Sequence, residues 1–474
     1  MKLKIILLSL FAILLGGCCK TSVMHEKVNY PKSTRSGIKY INDKTDLSRV
    51  AWWKKLKDPE LNQLINQALS CNDTIKSSYA TIEQAQAQLK AAQYAWIPTM
   101  GANANGFTGG TWNSHVTPKG PLANNSVFSN FSNMRFRGYY AGFVPEYTFN
   151  ILNNINNVKA ANASLAIQNA QTQSTKLGII SQMSGAYFML LSQREQLAME
   201  KTLSSDLRKL RQLEQVRFQK GASDIETITN IDQQLAQEEA NIPQIESIVA
   251  QSENTIRLLL NQNPGSVITH RTLLSLNTDH LVPKYLPSSV LKNRPDIMIA
   301  LNNVKTADAQ IGVAYSAFFP TISLTGLVGG ASVDLANLLK LSTNIWVAQA
   351  IASTKIFNAS AYQNIKSAKA GFKATYYNYL ETLRSAFADV DDTLTNEQKT
   401  KLSYLRIHQG YQAAKKSYDI ALAQYKAGAK DYRSVINAKI NLDRSQLSLV
   451  QEKALLLDSI VQVYSAVAGG YDAG

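Results

Sequence analysis

Cysteine and histidine are scarce in this sequence of 474 residues, and so are the motifs that build reactive sites. The three cysteines, Cys18, Cys19 and Cys71, form neither a disulfide framework nor a metal-ligand spacing. The five histidines are scattered, with no nucleophile–base pair, glycine-rich phosphate loop or cofactor motif beside them. The sequence therefore predicts a protein that is not an enzyme and that has no catalytic, cofactor or metal site.

Acidic residues are also in the minority, with 34 Asp and Glu against 49 Lys and Arg and a net charge of +15. A basic excess can mark a nucleic-acid-binding protein. This sequence, however, has no block of five or more basic residues and no nucleic-acid-binding motif. Its basic residues are dispersed along helical segments, which favours a solvated basic surface and no nucleic-acid partner.

The apolar run near the N-terminus, residues 5–15, is too short to span a bilayer as a helix. It follows two lysines and precedes Gly16-Gly17-Cys18, which is the layout of a lipoprotein signal peptide. We expect a signal peptide over residues 1–17, lipidation of Cys18 and a lipid-anchored tether over residues 18–50. The alternative is an ordinary signal peptide that two cysteines follow by chance.

The rest of the sequence repeats itself. A shift of 222 positions aligns residues 95–99 with residues 317–321, and a shift of 207 aligns the two glycine turns described below. The shift that aligns the two copies falls from 222 to 207 along the sequence, so the first copy contains a longer loop than the second. We therefore assign one internal repeat to residues 51–280 and a second to residues 281–474.

Each repeat is predicted to contain a helix that a proline ends, two alternating strands around a loop, and two very long helices joined by a glycine turn. The predicted helices span 72–96, 151–219, 224–262, 294–318, 359–426 and 431–468. A helix of ~68 residues is ~100 Å long, a length that helices of globular proteins rarely reach. We expect a kink near Pro243, which has no counterpart in the second repeat.

The long helices carry apolar stripes at the spacing of coiled coils. The stripe in the second repeat consists of Leu380, Leu383, Phe387, Val390 and Leu394, and it continues imperfectly through Leu402 and Leu405. Ile180, Ser184, Tyr187 and Leu191 form a similar stripe in the first repeat. These stripes predict that the long helices pack side by side.

Four segments alternate between apolar and polar residues: about 98–112, 139–150, 320–330 and 344–357. Such segments suit a transmembrane β-barrel, although a half-buried soluble sheet alternates in the same way. An open sheet edge in a membrane leaves backbone groups unpaired, so four strands cannot form a barrel alone. Two chains would give a filled barrel, whereas three would give twelve strands and a water path. The pattern therefore favours a homotrimer. The alternation places Pro145 inside a strand, where it requires a bulge or an unpaired position.

The two turns between the long helices have the sequences Gly221-Ala222-Ser223 and Gly428-Ala429-Lys430. Each glycine is predicted to adopt the left-handed conformation that ends a helix. Ser223 and Glu226 have the spacing of a capping box, and Asp431 can cap the helix that follows it. If the strands lie in a membrane, these turns form the far mouth of the tube.

Several motifs in order resemble the TolC-like outer membrane factors, over residues 50–472. The motifs that carry the resemblance are 52–61, 294–297, 309–314, 319–324 and 469–471. The resemblance is strongest to the lipoprotein branch that serves resistance-nodulation-division (RND) pumps. It implies a mixed α and β membrane protein: a trimeric twelve-stranded outer-membrane β-barrel, four strands per chain, continuous with a long periplasmic α-helical barrel.

The resemblance also implies roles for the turns. The six turn residues named above would form the periplasmic tip that contacts an adaptor protein. Candidates for lining the aperture are Asp224, Glu226, Tyr425, Arg433, Ser434 and Asn437. Members of the family commonly carry acidic residues at the positions that Ser434 and Asn437 occupy here. The resemblance therefore gives no basis for an acidic, cation-sensitive ring here, although Asp224, Glu226 and Asp431 remain nearby.

The implied function is a passive duct for drugs or other small amphipathic compounds, from the periplasm to the exterior. The implied partners are two further copies, a periplasmic adaptor, an inner-membrane RND pump and outer-membrane lipid. The protein would be lipid-anchored in the outer membrane and extend into the periplasm. Type I protein secretion and metal-ion efflux are alternatives, and a periplasmic structural lipoprotein rod is an alternative of another class.

Overall fold

The computed structural model describes residues 33, 35, 37, 39–41, 50–110, 135–282, 285–287, 293–355 and 357–470. The expected signal peptide, Cys18 and most of the tether lie outside the described residues. The helices are α1 (Pro59–Cys71), α2 (Asp73–Tyr94), α3 (Ile151–Gln219), α4 (Ile225–Leu259), α5 (Pro295–Ser316), α6 (Ala359–Lys426) and α7 (Tyr432–Ala466). The strands are β1 (Lys39–Ile41), β2 (Thr99–Gly110), β3 (Arg135–Phe149), β4 (Tyr285–Pro287), β5 (Thr321–Ser332) and β6 (Asn344–Ser353).

The long helices begin and end close to the predicted residues. Helices α3 and α6 have 69 and 68 residues, α4 and α7 have 35 each, and α2 and α5 have 22 each. Helix α4 continues through Pro243. Strand β3 begins earlier than predicted, at Arg135, and β6 ends earlier, at Ser353. Among the described residues, no helix is both long enough and apolar enough to cross a membrane.

The chain divides into two compact units. The first consists of the described parts of Met1–Gln84, Leu165–Val304 and Thr375–Gly474, and the second of Ala85–Ser164 and Lys305–Ala374. The second unit contains an antiparallel sheet with the strand order β2-β3-β5-β6. In the described residues, β2 pairs only with β3 and β6 only with β5, so the sheet has two open edges.

The two faces of this sheet differ in polarity in β3 and β5, as the alternation predicts, whereas β2 and β6 also carry exposed apolar side chains on the second face. The strand register places Ala102, Phe143, Val328 and Trp346 in one row across the four strands. The last three side chains are 60%, 57% and 78% exposed, so one face of the sheet presents apolar groups to its surroundings. On the opposite face, Thr148 and Ser323 are hydrogen-bonded at 3.0 Å.

Strands β3 and β5 approach closely where glycines face each other. Gly142 pairs with Gly329, and a Cβ atom added at Gly329 would lie 2.1 Å from the Ala141 carbonyl oxygen. Pro145 causes no bulge. The register passes unchanged from Phe143–Val328 to Glu146–Thr325, and Pro145 remains an unpaired position opposite β5.

The first unit has an apolar core that joins α1, α3, α6 and α7. Trp52 stacks on Tyr464 with ring centroids 5.2 Å apart, and a Cβ atom at Gly470 would lie 2.7 Å from the Trp53 ring. The residues of the 52–61 and 469–471 motifs that the structure describes therefore pack against each other. Their role is structural.

The apolar stripes are confirmed where they meet this core. Ile180, Tyr187, Leu383 and Val390 are buried in it. The imperfect continuation of the stripe is not buried within the single chain, where Leu402 and Leu405 are 51% and 49% exposed. No apolar group of the described chain covers this part of α6 enough to bury them.

Arg294 links three helices of the first unit and is 12% exposed. Its guanidinium group donates hydrogen bonds to Asp296, at the start of α5, and to Asp389 on α6. It also donates to the carbonyl oxygen of Ala466, the last residue of α7, at 2.5 Å. The arginine of the 294–297 motif thus closes the end of α7.

Lys453 on α7 is a buried cation in this unit. Its ammonium group donates a hydrogen bond to Thr278 Oγ1 at 3.1 Å and lies 5.1 Å from the centroid of the Tyr404 ring. Burial lowers the pKa of Lys453 from its ordinary value of 10.5 to about 8, against the opposing effect of Asp279. At pH 7 the group is charged in both the folded and the unfolded chain, so its burial lowers stability. That cost disappears as the pH rises from 8 towards 10.5, where only the unfolded chain stays protonated.

The substitution Lys453→Met is therefore expected to stabilise the protein at pH 7, by roughly 1–3 kcal/mol after the lost contacts with Thr278 and Tyr404 are counted. Thermal unfolding of the purified protein at pH 7 and pH 10 measures the effect, and the gain should shrink at the higher pH. Lys415→Met, at an exposed position on α6, is the matched control. A lower midpoint for Lys453→Met at pH 7 would show that the buried charge is net stabilising.

Candidate functional site

The two turns between the long helices have the same backbone conformation. Gly221 and Gly428 have φ angles of +71° and +74°, the left-handed region that both were predicted to adopt. The amide of Ala222 donates to the carbonyl oxygen of Arg217, and the amide of Ala429 donates to that of Gln424. This pattern satisfies the last carbonyl groups of α3 and α6. The two turns are called the tips below.

Aspartates cap the helices that follow the tips. Asp224 accepts a hydrogen bond from the Thr227 amide at 2.6 Å, and Asp431 accepts bonds from the amide and hydroxyl of Ser434. The hydrogen bond from the backbone N–H group lowers the pKa of each carboxyl group. The positive charge of Arg433 lowers both pKa values further. The caps therefore contribute stability above the ordinary aspartate pKa and lose it as the pH falls through the lowered values. The prediction for Asp431 is confirmed.

The capping box predicted for Ser223 and Glu226 is wrong. Asp224 is the N-cap of α4, and the Ser223 hydroxyl instead donates to Glu214 Oε2 at 2.7 Å. A capping box is a local motif, whereas Glu214 reaches Ser223 from the end of α3 across the turn. The buried carboxylate binds the Ser223 hydroxyl because its Oε2 atom accepts no other hydrogen bond in the described structure.

Glu214 is the centre of an ionic cluster that joins the two tips. Its side chain is fully buried. Arg433, at the start of α7, places Nε 3.0 Å from Glu214 Oε1, and Arg217 places Nε 3.6 Å from Oε2. The cluster therefore links the end of α3 to the start of α7, which lie more than 200 residues apart in the sequence.

Arg217 makes the second link between the tips. Its Nη2 donates to the carbonyl oxygen of Ala222 in the first tip at 3.2 Å. Its Nη1 lies 3.5 Å from Oδ2 of Asp431, the residue that caps α7. One arginine thus contacts the first turn, Glu214 and the cap of the second hairpin.

An apolar layer follows the ionic cluster on the side away from the turns. Leu207 and Leu210 of α3 pack with Ile231 of α4 and with Ile436 and Ile440 of α7. A further polar layer follows, in which Lys439 of α7 contacts Asp443 and lies 3.8 Å from Asp206 of α3. Buried polar groups need partners, so these contacts hold α3, α4 and α7 in one register.

The predicted aperture residues fall into two groups. Arg433 and Ser434 are engaged within the chain, through Glu214 and through the Asp431 cap. Glu226 and Asn437 are exposed. The Tyr425 ring lies 5.3 Å from the Tyr432 ring, and both are partly exposed. The structure thus brings Arg433 and Ser434 into the joint between the tips, and Asp224 lies close enough to Arg433 for the arginine's charge to lower the pKa of Asp224.

Sequence reasoning missed Glu214 and Arg217. Their spacing, one helical turn apart, is the only local signal, and such pairs are usually solvated. Only the fold shows that Glu214 is buried. Among the described residues, no group of three or more His, Cys, Asp or Glu side chains is placed to hold a metal ion.

Removing the Glu214 carboxylate is expected to loosen the tips while the rest of the protein stays folded. In Glu214→Leu, Ser223 loses its hydrogen-bond acceptor, and Arg217 and Arg433 lose their shared counter-ion. The free energy of local opening at the tips should therefore fall by roughly 1–3 kcal/mol. Hydrogen exchange of residues 214–226 and 429–436 measures this opening. Glu214→Gln keeps an acceptor for Ser223 and should fall in between. Glu226→Leu, which changes an exposed carboxylate beside the same turn, is the control. Equal exchange in Glu214→Leu and the control would contradict the assignment.

A sheet with one apolar exposed face, together with two hairpins of very long helices, is the arrangement expected for a subunit of an outer-membrane channel. The chain belongs to the outer membrane efflux protein family, whose model matches residues 64–262 and 286–469. It is accordingly the outer-membrane channel component of an efflux system. The resemblance to TolC-like outer membrane factors is confirmed.

Known relatives and solved structures agree with this assignment. The solvent efflux pump outer membrane protein SrpC of Pseudomonas putida is 27% identical over 88% of this chain and 86% of its own length. The cation efflux system protein CusC of Escherichia coli strain K12 is 26% identical over 91% of both chains. The crystal structure of the Campylobacter jejuni CmeC outer membrane channel shares the fold, with a TM-score of 0.79 at 22% identity, covering 95% of this chain and 94% of that one.

Proposed function

We propose that this protein works as a lipid-anchored homotrimer, a passive duct through which small amphipathic compounds leave the periplasm for the exterior. An inner-membrane RND pump would supply the energy, and a periplasmic adaptor would join the pump to the tips. The proposed duct catalyses no reaction and provides a water-filled path through the outer membrane.

The proposed trimer rests on the two open edges of the sheet. Strands β2 and β6 each have one edge without a strand partner among the described residues. Unpaired backbone groups in a membrane cost several kcal/mol each, so the edges must be paired. Strand β6 of one copy would run antiparallel to β2 of the next, and three copies would close twelve strands. The exposed face with Phe143, Val328 and Trp346 would then contact lipid.

Two observations support an internal duplication. The family model matches two separate segments of the chain. The corresponding helices of the two halves also have nearly equal lengths, with 22 and 22, 69 and 68, and 35 and 35 residues. A trimer would therefore carry six similar hairpins around its axis. The exposed Leu402 and Leu405 on α6 would be covered by a neighbouring copy.

The lipid anchor is proposed from the sequence around Cys18. The Gly16-Gly17-Cys18 segment after the short apolar run is the only basis for it. Acyl chains on Cys18 would hold the N-terminus in the inner leaflet of the outer membrane. Stable anchoring requires more than one chain, which lipoprotein maturation supplies.

The substrate class is proposed as small amphipathic or apolar compounds. SrpC, by its name, serves a solvent efflux pump. CusC, by its name, serves a cation efflux system, so metal-ion efflux is the second candidate. Deletion of the gene in its own bacterium, followed by exposure to drugs, dyes, bile salts, solvents and metal salts, separates the two. We expect hypersensitivity to organic compounds that the wild-type gene reverses. Hypersensitivity to metal salts alone would favour cation efflux, and an unchanged profile would contradict both.

The oligomeric state has its own measurement. Native mass spectrometry of the protein extracted in detergent is expected to show three copies. A stable, folded monomer of the mature protein in water without detergent would overturn the proposal, because it would show that neither the sheet edges nor the apolar face requires a partner.

A further inference from the structure

The tips carry lysines that have no carboxylate partner among the described residues. Lys220 follows the last residue of α3, Lys426 is the last residue of α6, and Lys430 lies in the second turn. All three side chains are exposed. Lysines at the ends of helices are common, because a positive charge stabilises the negative end of the helix dipole. This structural reason accounts for Lys220 and Lys426.

It does not account for Lys430. This lysine immediately precedes Asp431, the N-cap of α7, so its charge lies at the positive end of that helix. A cation is electrostatically unfavourable there. Its position is therefore better explained by something outside the chain than by the stability of α7.

The acidic residues of the tips are already engaged. Asp224 and Asp431 cap α4 and α7, and Glu214 is buried among Ser223, Arg217 and Arg433. Of the tip carboxylates, only Glu226 is exposed and without a hydrogen bond or ion pair in the described structure. The three exposed lysines therefore outnumber the one unengaged carboxylate, and the surface of the tips is left with unpaired positive charge.

Large apolar side chains lie beside these lysines. Phe218 precedes Lys220 by two residues, Ile225 begins α4, and Tyr425 and Tyr432 flank the second turn. These four side chains are between 39% and 62% exposed. Apolar groups left in water next to charged ones are typical of a surface that binds another protein.

We propose that the tips dock a protein whose contacting ends present Asp or Glu side chains around an apolar centre. This inference rests on the proposed function, in which the tips meet a periplasmic adaptor, and it specifies the charge of that adaptor's contact surface. The acidic groups would pair with Lys220, Lys426 and Lys430. The tyrosines, Phe218 and Ile225 would fill the apolar part. Complementary charge sets the orientation of docking and speeds association.

The test is a charge reversal with a matched control. The variant Lys220→Glu, Lys426→Glu, Lys430→Glu changes the tips. The control Lys399→Glu, Lys415→Glu, Lys416→Glu makes the same change at three exposed positions on α6 before its last turns. Both are expressed in the deletion strain, and their amounts in the outer membrane are compared by immunoblot. We expect the tip variant to lower the minimal inhibitory concentration of an exported compound by about tenfold and the control to act as wild type, because like charges at the contact weaken docking.

Selection of suppressors then identifies the partner's chemistry. Mutants of the tip-variant strain that regain resistance are expected to replace Asp or Glu by Lys or a neutral residue in a second periplasmic protein. Suppressors that map to lipid or peptidoglycan synthesis would overturn the proposal in favour of an anionic surface. Full activity of the tip variant would overturn it too. If the triple variant fails to reach the outer membrane, Lys430→Glu alone is read in the same way.

The controls separate this inference from the function on which it rests. Failure of the wild-type gene to restore resistance contradicts the duct itself. Restoration by both the wild type and the tip variant contradicts only the acidic docking partner.

Discussion

Replacing Arg294 by alanine is expected to lower the free energy of unfolding by about 3 kcal/mol. The guanidinium group is largely buried and holds the carbonyl oxygen of Ala466 together with Asp296 and Asp389. Without it, the last turn of α7 loses a donor, and two carboxylates lose a shared cation. The loss should appear as a lower midpoint in thermal or denaturant unfolding of the purified protein.

Two further variants make this prediction specific. Arg294→Lys keeps the charge but cannot bond all three acceptors with a planar fork, so we expect an intermediate loss. Arg271→Ala removes an arginine at an exposed position and should have little effect. Equal losses in Arg294→Ala and Arg271→Ala would show that the contacts around Arg294 contribute nothing measurable.

Gly329→Ala is expected to prevent normal assembly in the outer membrane. The added methyl group would lie 2.1 Å from the Ala141 carbonyl oxygen and 2.5 Å from Gly142 Cα. Both neighbours are backbone atoms, so no side-chain rotation relieves the clash, and β3 and β5 must separate. Overpacking of this kind costs ~1–3 kcal/mol or more, and separated strands would also lose ladder hydrogen bonds. The amount of the proposed trimer in membrane fractions, read from its migration in unheated gels, measures the effect.

A matched substitution in the same sheet provides the control. A Cβ atom at Gly101 in β2 would lie 3.9 Å from its nearest neighbour, the Val144 carbonyl oxygen, which is an ordinary contact. Gly101→Ala should therefore assemble like the wild type. Normal trimer yield from Gly329→Ala would mean that the close pairing of Gly142 with Gly329 is not required for assembly.

The ends of the long helices were predictable because the signals are local. Gly221 and Gly428 end α3 and α6 since a left-handed backbone at that point favours glycine, and Asp431 caps α7 through its own neighbours. The two-residue alternation in β3 and β5 likewise predicted which face is apolar. The match is close because each signal lies within a few residues of the structure that it specifies.

The position of the candidate site was predicted from the sequence, but the contacts that hold it together were not. The tips follow from the sequence, and so do Asp224 and Arg433 as residues near them. The buried role of Glu214 does not, because it depends on Arg433, which is 219 residues away. The capping box at Ser223 failed for the same reason: a distant carboxylate competes with the local partner, and local pattern reasoning does not include it.

The sequence by itself determined where the long helices begin and end, the apolar face of β3 and β5, and the family to which the protein belongs. Backbone propensity, proline, glycine and side-chain period act over a few residues, so they can be read from the chain directly. Only the tertiary structure decided which charges are buried and which are left unpaired at the tips. Burial and pairing depend on residues brought together from distant parts of the chain, and Coulomb energies depend on those distances and on the exclusion of water.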